Sequence, residues 1–205
     1  MTGVQTCALP IYAEHGSNAS TFTARVVAGT EADLHAGITA AIAALSGPAH
    51  GGAAENVMHM AQQIGDASGA AAYVKRKRAN KEPVMGFGHR VYRAEDPRAR
   101  HMRAGVEKLS RETGQPKWYQ ILEALVEAMK PYARHGVSVN VDFYAGVVYY
   151  LNGIPADLFV PIFAVGRVPG WVVSVLEQME NNILIRPLTE YNGAAPREYV
   201  AIDQR

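Results

Sequence analysis

Val84-Met85-Gly86-Phe87-Gly88-His89-Arg90-Val91-Tyr92-Arg93, running into Asp96-Pro97-Arg98, is the stretch from which the rest of the chain is read. Two glycines flank an aromatic ring and leave backbone amides uncovered, a histidine closes the turn, and arginines follow at short range. Glycine lets the chain bend sharply, and histidine gains and loses its proton near neutral pH. Such a grouping can hold an anion against a proton donor. Taken alone, the plainer reading is a glycine-rich turn before a helix with His89 at the surface. The chemical reading gains from Gly47-Pro48-Ala49-His50-Gly51-Gly52, from Asn140-Val141-Asp142-Phe143-Tyr144, and from the isolated Arg167 and Arg186.

On both sides of this stretch the pattern is helical. Asn18 can cap a helix running to about Gly29. Residues 32–45 set Leu34, Ile38, Ala41, Ile42 and Leu45 along one face, and Gly47-Pro48 stops them. A helix starting just after His50 carries Val57, Met58, Met60 and Ile64 inward, which puts His50 at a helix N-terminus. Residues 66–80 read as a short helix ending in Lys75-Arg76-Lys77-Arg78, a solvated basic face or, alternatively, a contact for phosphates. Pro97 starts an amphipathic helix to about Gly114, residues 118–132 repeat apolar side chains at helical spacing, and Asp142 opens a helix to Asn152.

Residues 158–176 are apolar enough to raise the question of a membrane span, but Pro161, Gly166, Arg167, Pro169 and Gly170 interrupt them. Buried helices bent at Gly166-Arg167-Val168-Pro169, lodged in a subunit interface, are expected instead. Only Tyr199-Val200-Ala201-Ile202 alternates as a strand does.

Composition bounds the possibilities. The chain has 205 residues, 48% apolar and 19% charged, enough for a buried core. Twenty Lys and Arg against 19 Asp and Glu leave a net charge of +1, which gives no reason to expect nucleic acid or an acidic membrane as a partner. The single cysteine, Cys7, can form no internal disulfide, so a reducing cytoplasmic setting is expected. Residues 1–11 lack the basic flank and apolar run of a signal peptide and look like a non-native leader, with coherent patterning beginning near Tyr12. They are set apart from the fold, and the chain is expected to open inside a larger gene.

The residue types define a chemistry. His15, His50 and His89 stand on three separate turns. A histidine at a helix N-terminus is disfavoured as imidazolium, so His50 is expected to be neutral and able to hydrogen-bond a carbonyl as it becomes an enolate. The same helix-end effect is expected to hold Asp142 ionised, as a base for a carbon acid. Arg98, Arg167 and Arg186 stand in apolar or sharply turned contexts. Each has a plain alternative as an ion pair with Asp or Glu; together they favour a pocket for a di- or tricarboxylate.

Glu14-His15 with Asn18-Ala19-Ser20-Thr21-Phe22, the His50 turn, the opening stretch with Asp96-Pro97-Arg98, the Asn140-Val141-Asp142 segment and Arg186-Pro187 together resemble the citrate synthase family over residues 12–205. The resemblance implies an all-α, multi-helical fold: a small domain over residues 52–152, and large-domain parts over residues 12–51 and 153–205. It also implies a homodimer that condenses acetyl-CoA with oxaloacetate, without metal or bound cofactor. Asp142 resembles the base that deprotonates acetyl-CoA, and His50 the group that stabilises the enol. His89 resembles the group that polarises and protonates the oxaloacetate carbonyl before citryl-CoA is hydrolysed. His15, Arg98 and Arg167 match oxaloacetate-binding groups, and Arg186 matches an arginine reaching across from the second subunit. Arg93 falls where the family meets CoA phosphate, and the backbone of Val84, Gly86, Phe87 and Gly88 falls where it cradles adenine.

Gly16 and Ser174 depart from the family pattern at non-catalytic positions. The family's N-terminal half is absent from this sequence, so the chain alone is expected to fold poorly or be inactive. Three other functions compete. One is 2-methylcitrate synthesis from propionyl-CoA. Another is a metal-dependent hydrolase with His15, His50, His89 and Asp142 as ligands, although no two of these have the i, i+4 spacing of a helical metal site. The last is a truncated, non-catalytic helical interaction module.

Overall fold

The computed structural model describes residues 9–205. Among the described residues the fold is all-α, without a strand: α1 (Leu9–Tyr12), α2 (Ala19–Gly29), α3 (Leu34–Leu45), α4 (Ala53–Ile64), α5 (Ala70–Ala79), α6 (Pro97–Glu112), α7 (Lys117–Ala133), α8 (Asp142–Leu151) and α9 (Phe159–Glu180). Side chains that accept the orphan amides of a first turn set several of these starts. Asn18 accepts from the Thr21 N–H at 3.2 Å, Asp33 from the Ala36 N–H at 2.8 Å, and Asp96 from the Arg98 N–H at 2.9 Å, with Pro97 opening α6.

Two packing groups share one core. Helix α4 packs on α8, α6 on α7 and α8, and α5 on α7; α1, α2 and α3 pack on α9, and α4 meets α9 between the groups. The α4–α8 approach is close because residue 146 is glycine: a Cβ there would sit 2.2 Å from the Ala54 carbonyl oxygen. Trp171, Tyr144, Tyr149, Phe143 and Phe159 are fully buried in the core.

Three sequence expectations change. Residues 9–11 belong to the fold, since α1 lies on α9 where Gly166 and Gly170 leave room; a Cβ on Gly170 would sit 2.1 Å from the Ala13 carbonyl oxygen. Residues 1–8, with Cys7, lie outside the described residues. The apolar run is one continuous helix of 22 residues with Pro169 inside it, in place of the expected separate buried helices bent at Gly166-Arg167-Val168-Pro169. Proline removes one backbone bond and crowds the preceding turn, but burial of Phe163 and Ala164 before it and of Trp171 and Val175 after it holds both halves against the same core. The span Ala156–Glu180 is long and apolar enough to cross a membrane by length and composition, yet half of it is buried inside the protein. Lastly, residues 199–202 form no strand: Tyr199, Val200 and Ile202 are exposed, and among the described residues no segment pairs with them in a ladder.

The opening stretch is anchored by backbone pairing. Phe87 bridges Val139, the Gly88 N–H donates to the Ser138 carbonyl at 2.7 Å, and the Asn140 N–H donates to the Gly86 carbonyl at 2.9 Å. The Gly88 amide, expected to be uncovered, is therefore occupied. Gly86 has φ +79°, and a Cβ there would lie 2.6 Å from the Phe143 ring, so both conformation and space require glycine.

Candidate active site

A cleft of about 1160 Å³ opens where the two packing groups meet, and His15, His50, His89, Arg98, Asp142 and Arg167 all line it. They come from six places: the link from α1 to α2, the turn before α4, the glycine turn, the first turn of α6, the first residue of α8, and the middle of α9. The Asn140 side chain joins two of these. Its Nδ2 donates to the Gly88 carbonyl at 3.0 Å and its Oδ1 accepts from the Asp142 N–H at 3.1 Å.

Two histidines have assigned tautomers. His89 Nδ1 accepts from the Val91 N–H at 3.0 Å and the Tyr92 N–H at 3.3 Å, so the proton of the neutral ring is on Nε2. His50 Nε2 accepts from the Ser20 N–H at 3.3 Å, with the Ser20 hydroxyl 3.0 Å away, which leaves the proton on Nδ1. Burial lowers the pKa of both rings, aided by Arg98 at His89 and by Arg167 at His50. The neutral His50 expected from the sequence therefore has a different cause: the ring sits in a turn ahead of α4, and burial with a nearby guanidinium keeps it unprotonated.

His15 is held by the Tyr92 hydroxyl at 2.9 Å, with its ring centroid 5.3 Å from that of His89. Burial, then Arg98 and His89, lower it to about 4. The Tyr12 hydroxyl donates to Asp142 Oδ1 at 2.9 Å. Burial raises Asp142 to about 6, while the Tyr12 hydrogen bond and Arg98 pull it down. Burial therefore outweighs the helix-end stabilisation expected from the sequence and holds the Asp142 carboxyl above its ordinary range.

The arginines diverge. Arg98 is clasped by Asp96, Nε to Oδ1 at 3.0 Å and a terminal nitrogen to Oδ2 at 2.7 Å, so the plain ion pair is real while the side chain still faces the cleft. Arg167 is 2% exposed and forms no ion pair with a carboxylate among the described residues. Its Nε donates to the Tyr12 carbonyl, its guanidinium lies 5.0 Å from the Phe163 ring, and one terminal nitrogen is buried with no partner. Burial, then Arg98, lowers its pKa to about 10. A buried cation with an idle donor at the wall of a cleft is built for an anion.

The remaining expected residues lie elsewhere. Arg186 is exposed in the extended segment after α9, not in an apolar setting, and it does not line this cleft. Arg93 is exposed and packs beside Gly136. Val84 and Gly86 are buried behind the cleft and Phe87 stacks on Phe143 at 4.8 Å; of that backbone only Gly88 lines the opening. Sequence reasoning missed Tyr12, Tyr92 and Ser20. Their signal was an aromatic or hydroxyl residue within three positions of a site histidine or of the Asn18 cap. Among the described residues no group of three or more His, Cys, Asp or Glu is arranged to hold a metal ion.

Comparison with known proteins places the chain in a family. Residues 4–188 match the family model described as citrate synthase, C-terminal domain, and the match begins inside the stretch read as a leader. Citrate synthase 2 of Bacillus subtilis is 48% identical over 97% of this chain and 53% of its own length. 2-Methylcitrate synthase 2 of Corynebacterium glutamicum is 48% identical over 96% and 51%. The Thermoplasma acidophilum citrate synthase, solved as a ternary complex with carboxymethyl coenzyme A and oxaloacetate, superposes with a TM-score of 0.90 at 39% identity, over 97% of this chain and 54% of that one. The chain spans about half the length of the curated relatives it matches. On the family match, the sequence identity and the superposition together, the chain belongs to the citrate synthase family.

Proposed function

We propose that this chain carries the catalytic constellation of an enzyme condensing acetyl-CoA with oxaloacetate to give citrate and CoA. The observation that carries this reading is the convergence of Asp142, His50 and His89 on one cleft with the idle guanidinium nitrogen of Arg167. Asp142 takes a methyl proton from the thioester, and the Nδ1–H of His50 hydrogen-bonds the thioester oxygen as the enol forms. The Nε2–H of His89 polarises the ketone of oxaloacetate and delivers its proton as the carbon–carbon bond closes; water then hydrolyses citryl-CoA. His15, Arg98 and Arg167 bind the carboxylates of oxaloacetate.

Further parts of the reading are a small domain over residues 52–152 that closes on a large domain, supported by the two packing groups, and a homodimer in the cytoplasm. Arg186 serves the second subunit's cleft, while Arg93 and, of the glycine-turn backbone, Gly88 meet CoA. Propionyl-CoA is the second reading, favoured by the 2-methylcitrate synthases among the relatives at 47–48% identity. One methylene is worth only about 1–3 kcal/mol of discrimination.

The test is CoA release by the chain, and by a chimaera in which it replaces the matching half of the Bacillus subtilis relative. Release should require oxaloacetate and fall roughly 100-fold or more in Asp142→Asn. Running acetyl-CoA beside propionyl-CoA assigns the acyl donor. A chimaera that folds but turns over neither thioester, or that ignores Asp142→Asn, overturns the reading.

A further inference from the structure

We propose that Tyr12 is a positioning residue that yokes the carboxylate of Asp142 to the guanidinium of Arg167. The proposal rests on the reading of Asp142 as the base. Tyr12 is fully buried, and its two polar ends serve two different site residues. The hydroxyl donates to Asp142 Oδ1 at 2.9 Å, and the backbone carbonyl accepts from Arg167 Nε. No other side-chain hydrogen bond reaches the Asp142 carboxylate among the described residues. Oδ1 is thereby fixed and the second oxygen is left for a proton from substrate. At Arg167, occupation of Nε orients the guanidinium so that an idle terminal nitrogen remains for an anion.

The yoke is itself held. The Tyr12 ring stacks on Phe163 with centroids 3.9 Å apart, α1 lies directly over Gly166 of α9, and the Ala13–Glu14 backbone that follows it lies over Gly170. Around Asp142 stand Tyr12 from α1, Tyr149 from its own helix, Asp96 and Arg98 at the start of α6, and Arg167 from α9, with His50 and His89 on the same cleft. The Tyr149 hydroxyl is buried beside Tyr12 and makes no hydrogen bond to the Asp142 carboxylate, so the phenolic hydrogen bond to that carboxylate comes from Tyr12. Removing the Tyr12 hydroxyl leaves both guanidinium groups in place, so a change in the carboxyl's proton affinity reports the hydrogen bond itself.

The experiment is a carbon NMR titration of the full 205-residue chain with ¹³Cγ-labelled aspartate, Asp142 being assigned by its loss in Asp142→Asn. In Tyr12→Phe the Asp142 midpoint should rise by roughly one pH unit, a tenfold change in acidity, as expected for a lost hydrogen bond to a charged group. A 3-fluorotyrosine placed at position 12 keeps the shape of the ring and donates more strongly, so the midpoint should fall. It also serves if the Phe variant does not fold. A midpoint unmoved by both changes overturns the proposal. Because no substrate is present, this result is separable from the proposed reaction. If the midpoint moves but the chimaera shows no Asp142-dependent turnover, the yoke stands and the reaction falls. If turnover depends on Asp142 and the midpoint stays still, the reaction stands and Tyr12 is a packing residue.

Discussion

Replacing Arg167 by methionine should leave the ligand-free chain as stable as before or slightly more so, and abolish its response to dicarboxylates. Burial holds the Arg167 guanidinium at about 10, well below the ordinary arginine value. At about 1.36 kcal/mol per pH unit, keeping that charge in place costs roughly 3 kcal/mol. Against this stand the hydrogen bond to the Tyr12 carbonyl and the Phe163 ring face, each about 1 kcal/mol. The balance leaves about 1 kcal/mol in favour of methionine, or roughly 2–4 °C in Tm for a chain of this size. The folded pKa is depressed, so the cost is present in full below pH 10 and disappears only as pH rises toward the ordinary arginine value. Oxaloacetate or malonate at 100 times its Kd should stabilise the parent by about 2.7 kcal/mol and do little for the variant. Thermal unfolding with and without the dicarboxylate reads both quantities. A variant that loses more than about 2 kcal/mol without ligand would make Arg167 a structural brace and refute the reasoning, as would an intact ligand response.

Asp142→Asn should stabilise the chain by about 2 kcal/mol near pH 7.5, because the native carboxyl titrates at about 6, above its ordinary value of 3.8. The native fold binds the extra proton between those values, so the advantage should shrink as pH falls from 6 toward 4; urea titrations at pH 5 and 7.5 check this. His15 works in the opposite direction: held at about 4, it contributes stability present above pH 6.5 and lost as pH falls through 4, so Asp142→Asn should steepen the acid transition. Tyr149→Phe deletes a buried hydroxyl that sits beside Tyr12 without a well-aligned hydrogen bond and should change stability by no more than about 1 kcal/mol, in either direction; a loss above 2 kcal/mol in chemical denaturation would mean that the hydroxyl makes a hydrogen bond of full strength. Gly86→Ala places a Cβ 2.6 Å from Phe143 at φ +79° and should cost about 2–4 kcal/mol, with an unchanged Tm showing that the glycine turn is looser than described.

Much of the fold was legible because its helices begin at local signals. Asn18, Asp33 and the Asp96-Pro97 pair cap or open helices through bonds made within three residues, and such bonds are written in short stretches of sequence. Pro169 misled for the complementary reason. A proline's local cost was outweighed by burial of residues on both sides of it, which no window of sequence displays. The alternation at residues 199–202 failed because a strand needs a partner. Within the site, the charged and ring-bearing members were legible by type. Their supports were not: Tyr12 lies 130 positions from Asp142 and Tyr92 77 positions from His15, and only the folded chain brings those pairs together.

Asp96 is fully buried and uses both carboxylate oxygens twice over: on the Arg98 amide and guanidinium, and on the Val141 N–H at 3.2 Å. Val141 directly precedes Asp142, so a single acidic side chain fastens the entry of one helix to the entry of another. On the roles proposed for Arg98 and Asp142, a tug that an arriving anion exerts on the guanidinium would be passed through this rivet to the peptide that carries Asp142. On that reading, anchoring of one reactant and aim at the other share one fastening, and a shortened or lengthened side chain at position 96 would loosen both helix entries from each other.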